Sequence, residues 1–258
     1  MRKTIASTML LAFAFATAVP LAHAASQVNS TGFTLIQTDG YPAIGLQVLS
    51  DNGTTVRISL NGAEPWRNPL AVSASAYDNS NADFGWTQLG GTVRQGYQIT
   101  SITVGGVLSG SLDIGQPDIV CGTNCTSYAG AATNSGGAEW KITRNGNVTS
   151  TTGQLANVTS PQAFSSTLTG GVEGDFRLDI YTFLRGFAEA TNYSVYHNIN
   201  NEVDWTEELF WTSESSIALS DLALTVQISP VPEPGIYAML LAGLGLVGFT
   251  ARRRIIGN

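Results

Sequence analysis

The stretch Phe176-Arg177-Leu178-Asp179-Ile180-Tyr181-Thr182-Phe183 alternates apolar and polar side chains with a period of two residues. Successive side chains of a β-strand point to opposite sides of the sheet, so this period predicts a strand with one buried face. Leu178 and Ile180 belong to the buried face. The opposite face pairs charged side chains and then ends in two aromatic rings, Tyr181 and Phe183. Such a strand indicates an antiparallel sheet that covers a core on one side.

Similar short runs recur along residues 25–230, separated by Gly, Asn, Asp, Ser and Thr. They predict strands at residues 33–38, 43–49, 54–60, 97–112, 139–143, 164–168, 193–197 and 217–228. The turn residues Ser220 and Asp221 leave it open whether the last run is one strand or two. Asp51-Asn52-Gly53 predicts a hairpin, because Asn-Gly tolerates the positive φ of a type I′ turn. These patterns predict an all-β domain, a two-sheet antiparallel sandwich that is jelly-roll-like.

The composition narrows the classes of function. Of the 258 residues, 12% are charged, against about 25% in an average soluble domain. The net charge of −7 argues against DNA or RNA as a partner, because neutralising phosphates requires a basic surface. Residues 25–230 alone hold 7 basic and 18 acidic residues, so this domain is more acidic than the whole chain. The two histidines and two cysteines exclude most His-rich metal sites and multi-disulfide scaffolds.

Residues 1–24 have the parts of a secretory signal peptide. Arg2 and Lys3 form a positive start, which precedes an apolar stretch too short to cross a bilayer. Ala22-His23-Ala24 then forms a small-x-small cleavage site. We expect cleavage after Ala24, with the following alanine as the near alternative.

The chain ends in a second distinct segment, residues 231–258. Pro232-Glu233-Pro234 is followed by 17 residues without a charge, 235–251, and then by Arg252-Arg253-Arg254. The uncharged stretch predicts a transmembrane helix that rises about 25 Å, slightly less than the hydrocarbon core of about 30 Å. Basic residues flanking such a helix stay cytoplasmic, so residues 25–230 are expected outside the inner membrane.

This tail resembles a PEP-CTERM sorting domain. The resemblance rests on Val231-Pro232-Glu233-Pro234, on an apolar span containing Gly-Leu-Gly-Leu-Val-Gly, and on the arginine cluster at 252–254, in that order. Members of this family are exported by Gram-negative bacteria that make exopolysaccharide, and a membrane-embedded exosortase is thought to recognise Pro-Glu-Pro and remove the tail. The resemblance implies that Pro232, Glu233 and Pro234 are the recognition residues and that the protein passes from the inner membrane to the outer surface or matrix. A Pro-rich linker before an ordinary membrane anchor is the alternative.

Cys121 and Cys125 lie close together in Cys-Gly-Thr-Asn-Cys. In an exported chain this spacing predicts a local disulfide, which the loop-entropy model values at about 2 kcal/mol. A redox pair is the alternative, although the spacing is CxxxC rather than CxxC.

The residue types needed for catalysis are scarce. His197 is the only histidine left after removal of the signal peptide, and no Gly-x-Ser-x-Gly or His-Glu-x-x-His motif accompanies it. We therefore expect a structural or surface role for His197. The run 243–248 has the GxGxxG spacing of dinucleotide sites, but it lies in the apolar tail, so no cofactor is predicted from it.

Paired carboxylates need no histidine, and the densest acidic stretch is residues 202–211. Glu207 and Glu208 lie there beside Trp205, which is the pattern of a glycan-processing site with an aromatic platform. Two alternatives stay open: a Ca²⁺ site made by clustered carboxylates, and a solvated acidic loop whose Trp205 and Trp211 enter the core. The stretch could also form a short helix.

Tryptophans near turn residues are the best candidates for glycan contacts, because sugar rings stack on exposed aromatic faces. Trp66 and Trp86 meet this condition, and Trp205 with Glu207 completes the candidate set. For any single tryptophan, a place in the core is the alternative. The sequence thus predicts a non-catalytic, exosortase-processed surface or matrix protein with exopolysaccharide as the expected ligand. The alternative is an exported carbohydrate-active enzyme, of glycoside hydrolase or lyase type, that uses a carboxylate pair.

Overall fold

The computed structural model of the protein describes residues 27–41, 44–117, 124–199, 202–231 and 239–246. These residues form strands and one short helix, α1, at 239–246. The strands are β1 (Gln27–Asn29), β2 (Phe33–Tyr41), β3 (Gly45–Asp51), β4 (Thr55–Asn61), β5 (Leu70–Ala74), β6 (Asp78–Val93), β7 (Tyr97–Asp113), β8 (Cys125–Tyr128), β9 (Ala131–Arg144), β10 (Asn147–Ala156), β11 (Gln162–Val172), β12 (Asp175–Glu189), β13 (Thr191–Ile199), β14 (Glu202–Trp211) and β15 (Ser213–Pro230).

The strands form three antiparallel sheets. Sheet A has the order β1-β2-β6-β12-β9-β10, and sheet B has the order β11-β7-β15-β4-β3 with β5 also paired to β15. Sheet C is smaller and has the order β14-β13-β8. The buried side chains of sheets A and B form one continuous hydrophobic cluster, so these two sheets pack face to face.

The alternation along β12 is the one that the sequence predicts. Leu178 and Ile180 are fully buried in the cluster between sheets A and B, and Trp140 of β9 lies beside Ile180 in the register. Across β12, Leu178 also lies opposite Leu89 of β6. Apolar residues that repeat every second position thus line the inner side of sheet A, and the intervening residues form its outer face.

The all-β, antiparallel fold class is confirmed, whereas the predicted architecture is incomplete. A jelly roll has eight strands in two sheets, but the described strands form two sheets of six and a third of three. The 16-residue strand β6 was not predicted, because residues 78–93 are rich in Asn, Asp and Gly.

One local prediction is wrong, and one point that the sequence left open is settled. Residues 202–211 form the strand β14 rather than a loop or a short helix, because every residue from Glu202 to Trp211 except Asp204 lies opposite a residue of β13. Residues 213–230 form one strand, since the turn signal at Ser220 and Asp221 produces a bulge, with Asp221 at φ 53°, and does not end the strand.

The hairpin at Asp51-Asn52-Gly53 is confirmed, but its turn is not of type I′. That turn needs positive φ at both central residues, and here Gly53 has φ 84° while Asn52 is not among the described residues with positive φ. The Asn52 side chain instead accepts hydrogen bonds from the amides of Thr54 and Thr55. A second Asn-Gly pair joins β9 to β10 with both φ angles positive, 47° at Asn145 and 79° at Gly146.

One buried side chain ties the two large sheets together. Asn134 of β9 donates from Nδ2 to the carbonyl oxygens of Val158 and Ser216, both at 2.8 Å, and its Oδ1 accepts from the Val158 amide at 2.6 Å. Ser216 belongs to β15 of sheet B, so this amide bridges the sheets and satisfies backbone groups away from water.

Replacing Asn134 by alanine is expected to lower the free energy of unfolding by about 3 kcal/mol, because each buried backbone group left without a partner costs about 1–3 kcal/mol. Urea unfolding followed by tryptophan fluorescence measures the loss. The control is Asn147→Ala, at an exposed position of β10, for which we expect a change within about 0.5 kcal/mol. Equal stability of the two variants would contradict the proposed bridge.

The predicted segments at the two ends are largely outside the described residues. Residues 1–24 are outside them entirely, so the signal peptide stays a prediction. Of the predicted span 235–251, the structure describes 239–246 as the helix α1. Within the described ranges, no helix is both long enough and apolar enough to cross a membrane.

Candidate functional site

Four aromatic side chains meet on the outer face of sheet A, and we call this patch the aromatic face. In the register of β6 and β12, Trp86 lies opposite Tyr181 and Phe84 lies opposite Phe183. The Trp86 and Tyr181 rings are 6.1 Å apart between centroids and tilted by 31°. Phe84 is 53% exposed and Tyr181 is 44% exposed. Large aromatic groups that stay accessible on a regular sheet are typical of a binding surface.

A buried carboxylate borders the aromatic face. Asp179 precedes Tyr181 by two residues on β12, and its Oδ2 lies 3.2 Å from Nε of Arg177 and 3.9 Å from Nζ of Lys141. Its Oδ1 accepts a hydrogen bond of 2.7 Å from Nε2 of Gln88. Because Asp179 holds these side chains in place, the aromatic face is flanked by hydrogen-bond donors with restricted positions.

A third cation, Arg185, lies at the other end of the patch. The guanidinium carbon of Arg185 is 5.2 Å from the centroid of the Phe183 ring, which is within the range of a cation–π contact. The aromatic face therefore combines ring surfaces with polar groups at both ends. This combination can hold a ligand that has both C–H faces and hydroxyl groups.

Of the two tryptophans predicted to be exposed, the structure exposes Trp66 and half-buries Trp86. Trp86 is half-buried rather than exposed, and the accessible aromatic area beside it comes from Phe84 and Tyr181. Trp66 is 65% exposed, but it lies in the loop 62–69. The loop packs against the core side of sheet A, where Oγ1 of Thr182 donates to the carbonyl of Ala63 at 2.6 Å.

The other two predicted contact residues lie together in sheet C. The ring of Trp205 stacks on His197 with centroids 3.6 Å apart and an interplanar angle of 7°. Nε2 of His197 is 3.3 Å from Oε2 of Glu207. Trp205 is 49% exposed, so the interpretation that it enters the core is wrong. These three residues share one side of the β13–β14 hairpin.

The pleat of β14 separates neighbouring acidic residues. Glu207 and Glu208 are consecutive on this strand, so their side chains point to opposite sides of sheet C. The side chains of Glu202 and Asp204 are outside the described set. Among the described residues, no group of three or more His, Cys, Asp or Glu side chains is placed to hold a metal ion.

Cys125 is the first residue of β8 at the edge of sheet C. Cys121 lies outside the described residues. The disulfide between them therefore stays a prediction.

The last strand of the fold leads directly to the tail. β15 ends at Pro230, which lies opposite Tyr97 in the register, and the Val231 amide donates to the Gly96 carbonyl at 2.8 Å. Pro232-Glu233-Pro234 and Arg252-Arg253-Arg254 are not among the described residues. The tail therefore leaves the domain from a central strand of sheet B.

Comparison with known proteins identifies the tail but not the β domain. No curated protein matches the chain significantly. Residues 230–254 match the family model of the PEP-CTERM protein-sorting motif. The C-terminal tail is a PEP-CTERM sorting motif, which indicates an exported protein that is sorted by an exosortase and is transiently anchored in a membrane.

Proposed function

We propose that the protein is a non-catalytic component of the outer surface or extracellular matrix and that it binds exopolysaccharide through the aromatic face. The sorting motif supports the location, since it indicates export and exosortase processing. The observation that carries the binding proposal is the pairing of Phe84 with Phe183 and of Trp86 with Tyr181 on the accessible side of sheet A.

The geometry suits an extended polymer better than a small molecule. Alternate residues along a strand are about 6.6–6.8 Å apart, so the two aromatic pairs form a continuous strip across β6 and β12. Sugar rings stack on such surfaces through their C–H faces, and Gln88, Arg177 and Lys141 supply hydrogen-bond donors beside them. Because the strip lies on the outer face of a sheet, a polysaccharide chain can cross it without an end of the chain entering a pocket.

Replacing Phe84 and Tyr181 together by alanine is expected to weaken retention on the exopolysaccharide of the producing cell about 30-fold. Each ring is expected to contribute about 1 kcal/mol of stacking energy, and the sum of about 2 kcal/mol corresponds to this change in affinity. Both side chains are about half exposed, so the fold should persist, which circular dichroism checks. Affinity electrophoresis in gels containing the polysaccharide measures the change.

Two single variants complete that experiment. Tyr128→Ala removes an exposed tyrosine of sheet C and should leave retention unchanged. Trp205→Ala tests the exposed ring that stacks on His197 in sheet C. Loss of retention in Trp205→Ala but not in the double variant would place the binding site on sheet C. Unchanged retention in the double variant, in Tyr128→Ala and in Trp205→Ala would contradict glycan binding by these aromatic side chains.

A second candidate function is an exported carbohydrate-active enzyme. Its support is the position of Glu207, which contacts His197 beside the exposed ring of Trp205. A carboxylate pair would need an acid other than Glu208, which points to the opposite side of sheet C. Release of reducing sugar by the wild type and its disappearance in Glu207→Gln would favour this function over a purely binding role.

A further inference from the structure

A crevice opens at one end of the sandwich, away from the aromatic face. It lies between the β9–β10 hairpin of sheet A and the strands β7 and β11 of sheet B, and its volume is about 370 Å³. Five aliphatic side chains form its inner part, Ile99, Ile102, Ile142, Leu168 and Val172, and polar residues such as Asn145, Asn147 and Thr149 line the rest. A volume near the lower end of small-molecule sites, about 300–1,000 Å³, fits a short ligand.

Arg144 lies at the mouth of this crevice. On β9, Arg144 lies on the same side of the strand as Trp140 and Ile142, which face the core. The aliphatic part of the Arg144 side chain therefore points towards the core. Nη1 donates to the carbonyl of Gly171, in the bulge of β11, and this contact joins sheet A to sheet B across the opening.

The charge of Arg144 is not balanced locally. Its Nε is buried and has no hydrogen-bond partner among the described residues. The residues that line the crevice include no Asp or Glu, and Arg144 is in none of the ion pairs between described side chains. What distinguishes Arg144 from other basic side chains without an ion pair to a described residue, such as Arg94, is its buried Nε and its place in the crevice.

The hydrogen-bond donor of Arg144 that has no partner among the described residues indicates which ligand group the crevice could bind. Since the Gly171 carbonyl accepts from Nη1 and Nε is buried, Nη2 is the donor left for a ligand, and an oxygen of a carboxylate or phosphate can accept a charge-assisted hydrogen bond from it. The lining has no aromatic ring for a sugar to stack on, whereas its five aliphatic side chains offer contacts to an alkyl chain and its polar residues lie with Arg144 around them. We propose that the crevice binds an anionic amphiphile, with its aliphatic chain between the sheets and its carboxylate or phosphate head on Arg144.

Titration of the exported protein with octanoate, octyl phosphate and octanol in detergent-free buffer tests this proposal. Isothermal calorimetry, run below the micellar concentration of the two anions and below the solubility limit of octanol, should give saturable binding of the two anions. Octanol should bind at least about tenfold more weakly, because it lacks the charge that Arg144 recognises. The tighter of the two anions identifies the head group. Equal binding of octanol, or no saturable binding of either anion, would overturn the proposal.

Two variants separate a ligand site from a purely structural arginine. Arg144→Gln should weaken octanoate binding about tenfold or more, whereas Arg94→Gln, at an exposed turn position outside the crevice, should leave it unchanged. Thr149→Trp places a large ring at the crevice rim while keeping Arg144, and it should abolish binding even if Arg144→Gln folds poorly. Wild-type affinity in either crevice variant would show that Arg144 only covers the end of the core with its stem.

Discussion

The exported protein is expected to keep its C-terminal tail when Glu233 is replaced by alanine. The motif matched at residues 230–254 has a carboxylate between two prolines as its central feature. The alanine variant keeps both prolines, which fix φ near −65° and favour an extended backbone. It therefore removes the charge without changing the backbone preference. We expect processing to fall from complete to undetectable, which intact-mass spectrometry of the cell fractions measures.

A matched control distinguishes this effect from a general effect of charge. Glu214→Ala removes an exposed carboxylate of β15 outside the motif and should leave the processed mass unchanged. The uncleaved Glu233→Ala protein should remain in the membrane fraction, whereas the wild type and the control should leave it. Recovery of the processed mass from Glu233→Ala would show that the carboxylate is not needed for recognition.

Replacing Trp140 by alanine is expected to lower the free energy of unfolding by about 3–5 kcal/mol. Trp140 is fully buried on the inner side of β9 in sheet A, and its Nε1 donates to Oγ of Ser166 in sheet B at 2.8 Å. The substitution leaves a cavity between the sheets and removes a hydrogen bond that crosses the core. For a domain of this size the melting temperature should fall by about 10 °C, measured by calorimetry.

Three further variants separate the loss of the hydrogen bond from the loss of buried side-chain volume. Ser166→Ala keeps the ring and leaves Nε1 without its acceptor, so a loss of about 1–3 kcal/mol is expected. Trp140→Phe keeps much of the volume and should fall between Ser166→Ala and Trp140→Ala. Trp205→Ala is the matched control at an exposed tryptophan and should cost less than about 1 kcal/mol. Equal losses in Trp140→Ala and Trp205→Ala would contradict the position of Trp140 in the core.

Strand β12 was predictable because its own residues alternate between apolar and polar every second position. Its neighbour β6 was not predictable in this way. Glycines in β6 argue locally against a strand, yet packing requires them. A Cβ at Gly91 would overlap the Phe176 ring, and one at Gly85 would meet the Ala63 and Glu64 carbonyls. The residues that require glycine at these positions are distant in sequence. The local composition of β6 therefore predicts a loop rather than a strand.

The same distinction holds for the aromatic face. The alternation along β12 places Tyr181 and Phe183 on the outer side without any knowledge of the partner strand. Their meeting with Phe84 and Trp86 depends on the register of β6 and β12, which the sequence of either strand does not specify alone. The position of Arg144 at the crevice mouth depends likewise on contacts between two sheets, and no local motif signals it.

The pairing of β15 up to Pro230 limits how far the sorting motif can move from the folded domain. The Val231 amide donates to the Gly96 carbonyl, and four peptide links separate Val231 from Gly235, where the apolar segment begins. These links span at most about 15 Å. An enzyme that recognises Pro232-Glu233-Pro234 must bind within this distance of the folded domain. The turn at residues 94–96 therefore forms part of the surface that the enzyme contacts. The folded end of the domain thus limits which enzymes can reach the motif.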